Sequence, residues 1–111
     1  MSEQSSAGPV LWSIDERGVA RVTLNRPEVY NAYNGDMISG LLRVYDALAA
    51  KAPRAVVIAG KGRNFIAGAD INWLDAVRRS SPEENLRNSR MTAEAVQRLN
   101  LIPVTTVALV Q

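Results

Sequence analysis

The amino-acid sequence predicts an α/β domain in which a hairpin, a helix, a buried strand, further helices and a last strand follow in that order. Three observations point there. Two short runs rich in β-branched residues, Val10–Asp15 and Val19–Leu24, are separated by Glu16-Arg17-Gly18, the spacing of a hairpin. From Gly35 to Lys51 the apolar positions Met37, Ile38, Leu41, Leu42, Tyr45 and Leu48 recur at steps of three and four, the period of an amphipathic helix. Ala55–Ala59 (AVVIA) is a continuous apolar run of the kind found where a strand is covered on both faces. With 111 residues, 47% hydrophobic and 22% charged, the chain has the balance of one folded domain rather than a disordered segment.

Residues 1–8 read as a flexible tail and residues 9–111 as the domain. After Leu24, Asn25-Arg26-Pro27 stops the second strand, because proline cannot donate to a ladder. Asn34 is placed to cap the helix, and Ala52-Pro53-Arg54 ends it. Another helix is expected to begin near Asp70. Ser81-Pro82-Glu83-Glu84 marks a third start, with a cap candidate, a proline in the first turn and two acids near the positive end of the helix dipole. That helix is predicted to run to about Leu101, closed by Pro103. Thr105–Val110 reads as one more buried strand, and its lack of a polar tail suggests a chain cut inside a larger fold.

Composition excludes several chemistries. The chain has no cysteine and no histidine, which removes disulfides, thiolate or imidazole metal ligands, cysteine nucleophiles and the usual general base. No metal is expected. No apolar run approaches the roughly 20 residues of a membrane span, and MSEQSSAGP lacks the basic-then-apolar order of a signal peptide. A cytoplasmic protein with no membrane partner is expected. The net charge is +2, and its cations are scattered. Arg78-Arg79 is the one adjacent basic pair, without interleaved aromatics, so no nucleic-acid partner is expected.

The stretch GKGRNFIAGADI, Gly60–Ile71, lies between the buried strand and the next helix. A dinucleotide fingerprint would need a third glycine where Phe65 stands, and a P-loop would end in Gly-Lys-Ser/Thr. Neither is present. What remains is a loop whose Ala67, Gly68 and Ala69 leave the backbone bare beside a helix start at Asp70. Free N–H groups there suit an anion, or an oxygen that gains negative charge during reaction. Spacing alone favours the plainer account, in which Gly68 permits a turn and Asp70 caps a helix.

The order of motifs adds to this. VARVTLNRPEVYNAYN (Val19–Asn34), AVVIAGKG (Ala55–Gly62) and FIAGADI (Phe65–Ile71) together resemble the N-terminal part of the crotonase superfamily, also called the enoyl-CoA hydratase/isomerase family. The resemblance implies the first part of a ββα spiral fold. It implies a CoA thioester whose carbonyl oxygen sits between two backbone N–H groups, the first of them on Ala69. Ala67, Gly68, Asp70 and Ile71 would form the wall around the CoA moiety, with Ala32 opposite. Coenzyme A would arrive as part of the substrate, with no permanently bound cofactor, and the protein would be a homo-oligomer, a trimer or hexamer. The domain would be incomplete, stopping before the second oxyanion loop and before both catalytic glutamates, so the 111 residues are expected to be inactive alone. DINWL (Asp70–Leu74), EENLRNSR (Glu83–Arg90) and PVTTVALVQ are similar to the 3-methylglutaconyl-CoA hydratase branch, a lyase.

Tyr30 and Tyr33 depart from the family pattern, where leucine is common. Trp73 and Leu74 are placed either to line an acyl pocket or to serve as core or subunit contacts. Glu83-Glu84 reads as solvated helix-start acid rather than as a catalytic pair, which would need a pocket to separate its pKa values. The alternative function is a non-catalytic CoA-binding or assembly module.

Overall fold

The computed structural model describes residues 3–5 and 7–111. Its elements are strand β1 (Glu3–Ser5), β2 (Val10–Ile14), β3 (Val19–Leu24), a 3-10 turn (Pro27–Val29), helix α1 (Gly35–Lys51), β4 (Ala55–Gly60), α2 (Ile71–Arg78), α3 (Pro82–Asn100) and β5 (Thr105–Leu109). The strands form one sheet in the order β1-β2-β3-β4-β5. β2 and β3 pair antiparallel, Val10 opposite Leu24 and Ile14 opposite Ala20. Their turn is set by Asp15, whose Oδ1 accepts from the N–H groups of Arg17 (2.9 Å) and Val19 (3.0 Å), and by Gly18 at φ +82°. β4 lies parallel to β3 and β5 parallel to β4, so these three strands end at the same edge of the sheet.

The core lies between β3, β4 and α1. Ala20, Val22 and Leu24 of β3, Met37, Val44 and Leu48 of α1, and Val56 and Ile58 of β4 are buried together. The spacing of three and four residues turns one stripe of α1 inward, and Asn34 caps its start by accepting from Met37 N–H at 3.0 Å.

Three elements differ from what the sequence suggests. Within the stretch expected as a flexible tail, Glu3–Ser5 pairs antiparallel with the β2 edge; positions 1, 2 and 6 lie outside the described residues. β4 is covered less evenly than expected, Val56 and Ile58 being buried on one face while on the other Ala59 is buried and Val57 half-buried. β5, expected to be buried, is exposed at every residue. It gains a ladder from β4, while α3 packs chiefly against α1 and α2 rather than over it. An apolar run specifies willingness to be buried; a covering element must supply the burial.

Candidate functional site

The site grows from the segment that follows β3. Tyr30 and Asn31 both take left-handed backbone conformations, φ 57° and 58°, uncommon for non-glycine residues and best tolerated by asparagine. The resulting turn closes on itself: Asn31 N–H donates to Arg26 O, and Arg26 N–H donates back to Asn31 Oδ1, each at 2.8 Å. Asn31 is the buried polar side chain among the described residues. Its Nδ2 reaches across to donate to Lys61 O (3.0 Å) and Asn64 O (2.8 Å) in the loop after β4. Gly60 makes that approach possible, because a Cβ there would stand 2.4 Å from Asn64 O and 2.8 Å from Asn31 Nδ2.

A second tie lies further along. Tyr33 and Ala69 form a parallel bridge, in which Tyr33 N–H donates to Gly68 O (2.9 Å) and Asp70 N–H donates to Tyr33 O (2.8 Å). In a parallel bridge the neighbours of the central residue make the bonds, and its own N–H points to the other side. Ala69 N–H accordingly has no hydrogen-bond partner among the described residues. Gly68 supports this with φ +100°, where a side chain would be strained.

Arg26 makes a third tie. Its guanidinium donates to Ala32 O at 2.5 Å and to Asp70 Oδ2 at 3.2 Å, and both charged side chains are largely covered, at 18% and 13% exposure. Asp70 also caps α2, its Oδ1 accepting from Trp73 N–H at 3.1 Å. That backbone N–H first, and the Arg26 guanidinium after it, hold the Asp70 carboxyl below its usual range. Asp70 is thus kept ionised with its charge answered locally, which unsuits it to shuttle protons.

Ala32, Ala67, Ala69, Asp70 and Ile71 come together as walls of one cleft of about 340 Å3, with Tyr30 and Glu28 among its other lining residues. Gly68 does not line it; its contribution is the turn. Trp73 and Leu74 lie elsewhere, in a trough between α2 and α3, with Trp73 edge-on to Tyr33 at 5.8 Å. Glu83 and Glu84 are exposed in the first turn of α3 and are not among the residues that line the cleft. Sequence reasoning missed Asn31 and Arg26. A signal for Asn31 existed, since asparagine is the usual non-glycine residue at left-handed positions in turns; Arg26 had none, because its partners lie 6 and 44 residues away. Chemically, the cleft offers a bare N–H at a helix start, flanked by small side chains, which suits an oxygen that becomes negative. Among the described residues no cluster of His, Cys, Asp or Glu could hold a metal ion, and no helix is long and apolar enough to cross a membrane.

Residues 15–111 match the family model described as enoyl-CoA hydratase/isomerase. The chain is 39% identical over 98 residues to a Thermus thermophilus protein provisionally named an enoyl-CoA hydratase, covering 87% of this chain and 39% of that protein. It is 29% identical over 109 residues to the ethylmalonyl-CoA decarboxylase of Xenopus tropicalis, covering 97% of this chain and 36% of the relative. A crystal structure of an enoyl-CoA hydratase from Shewanella pealeana superposes with a TM-score of 0.87 at 29% identity, over 93% of this chain and 39% of that one. The chain therefore spans well under half the length of these relatives.

Proposed function

Because this chain belongs to the enoyl-CoA hydratase/isomerase family, we propose that it carries one half of an oxyanion hole that acts on an acyl-CoA thioester. The observation that carries the reading is the unpartnered N–H of Ala69, set in a cleft walled by Ala32 and Ala67. A thioester carbonyl oxygen would accept from this N–H, and the bond strengthens as the oxygen takes on enolate charge, which is what lowers a barrier rather than merely binding substrate. Small side chains let the thioester approach the backbone. The ion pair of Asp70 with Arg26 keeps a neighbouring carboxylate from opposing the developing charge.

The second donor and the residues that move protons are assigned to the part of the protein outside these 111 residues, which would make the described residues one portion of a larger domain. Relatives named as hydratase and as decarboxylase are consistent with an oxyanion site common to several reactions. The resemblance of Asp70–Leu74 and Glu83–Arg90 to 3-methylglutaconyl-CoA hydratases makes that thioester the first to assay, beside crotonyl-CoA. Homo-oligomerisation belongs to the same proposal, supported by the exposed Val107 and Leu109 of β5.

The test is Ala69→Pro in the full-length protein. Proline removes the N–H, and the Tyr33 bridge does not use it. Turnover is expected to fall about a hundredfold or more, with thioester affinity changed far less, and the 111 residues alone are expected to turn over neither substrate. Near-normal turnover by a folded Ala69→Pro protein would sink the reading. Full-length protein that binds acyl-CoA yet transforms none would favour a binding or assembly module.

A further inference from the structure

The end of β4 at Gly60 and the loop 61–64 after it are held by two side-chain amides from opposite flanks. β3, β4 and β5 end at one edge of the sheet with β4 between the others. The turn after β3, the loop after β4 and the residues after β5 therefore stand side by side. From the β3 flank, Asn31 Nδ2 donates to Lys61 O and Asn64 O. From the β5 flank, Gln111 Nε2 donates to Gly60 O and Gly62 O, each at 2.9 Å. The loop is further pinned where Lys61 N–H donates to Leu24 O at 2.9 Å.

We propose that Asn31 and Gln111 are positioning residues for the Ala69 donor, acting through this loop; the inference rests on the reading of Ala69 as an oxyanion donor. The loop leads directly into Phe65–Ala69, so its placement sets where the Ala69 N–H stands. Donors of this kind act only within a few tenths of an ångström of their proper distance. Asn31 is buried and would be needed for folding in any case, since an unpaired buried amide is costly. Gln111 is different. Both hydrogen bonds of its side-chain amide go to backbone carbonyls, those of Gly60 and Gly62. What these two bonds fix is where the backbone at Gly60 and Gly62 stands. It also ties the chain leaving β5 to the segment that carries the donor.

The experiment compares Gln111→Glu with Gln111→Lys in the full-length protein. Glutamate keeps the size but sets a carboxylate against two carbonyls; lysine keeps a donor. Gln111→Glu is expected to lower kcat about tenfold while KM for the acyl-CoA stays within about twofold, and Gln111→Lys should stay within about threefold of wild type, on the scale of small misplacements at a reacting centre. Amide hydrogen exchange at Lys61, whose N–H donates to Leu24 O, should quicken in the glutamate variant alone. A kcat for Gln111→Glu within twofold of wild type overturns the proposal, as does an equal loss in both variants. If Ala69→Pro keeps its turnover, the donor reading falls and this inference with it. If Ala69→Pro collapses while Gln111→Glu is normal, only the positioning role fails.

Discussion

Helices α1 and α3 start with the same kind of cap and differ in burial. Asn34 caps one and Ser81 the other, each side chain accepting from the N–H three residues on. Both carry an apolar stripe. Yet α1 buries Met37, Ile38, Gly40, Val44, Tyr45 and Leu48, whereas α3 buries Ala95 alone and leaves Leu86 and Val96 52% and 68% exposed. The strands repeat the contrast: β4 is mostly covered and β5 is bare. Local signals make a helix or strand, but what lies opposite decides how much free energy its apolar face contributes. The cleft sits where the two regimes meet, one wall from the turn after the buried β3 and the other from the loop before the exposed α2.

The largest expected effect is in the buried regime. Leu48→Ala should cost about 2–5 kcal/mol, the range for a leucine removed from a closed core, read by urea or thermal unfolding of the full-length protein. A loss near zero would mean that α1 does not depend on its face to the sheet.

At the junction the effect is smaller and depends on pH. The Asp70 carboxyl is held below its ordinary range, by Trp73 N–H first and by Arg26. A carboxyl whose folded pKa is lowered contributes stability above the unfolded pKa, about 4 for aspartate, and loses it as pH falls through the folded value. The stability difference between wild type and Asp70→Asn should therefore be steady near neutral pH and shrink below about pH 4. Asp15 also has a lowered pKa, through Arg17 first and Val19 N–H, but it is common to both proteins and cancels in the difference. A gap unchanged down to pH 2 would show that the Trp73 N–H and Arg26 together do not favour the ionised form.

The smallest effect belongs to the exposed regime and sharpens the contrast most. Leu86→Ala in the isolated 111 residues should change stability by no more than about 0.5 kcal/mol, as for other surface positions. The same substitution in the full-length protein is the informative arm. A cost there near that of Leu48→Ala would show that the rest of the protein covers α3. An equally small cost would leave α3 a solvent-facing helix.

Much of this arrangement is legible in the residues themselves. Glu16-Arg17-Gly18, Asn34, the Ala52-Pro53 stop and Ser81-Pro82 place the element boundaries because each acts over a few bonds, through a turn conformation or a cap. The order of VYNAYN and FIAGADI motifs marks the cleft, and Ala32, Ala67, Ala69, Asp70 and Ile71 meet there. Other features depend on partners distant in sequence. Asn31 lies 30 and 33 residues from the carbonyls it holds, and Gln111 lies 51 and 49 from its own. Nothing in the local pattern of either residue names those partners. The pairing of Glu3–Ser5 escapes the same way, since a short polar segment becomes a strand only because the β2 edge is there to hydrogen-bond it. Sequence alone determined the elements from Val10 onward, their order and the small-residue loop, all products of short-range sterics and capping. Tertiary structure decided which apolar faces are covered, which carbonyls the two amides collect and which N–H is left free, because burial and hydrogen-bond satisfaction depend on what the folded chain brings opposite each group.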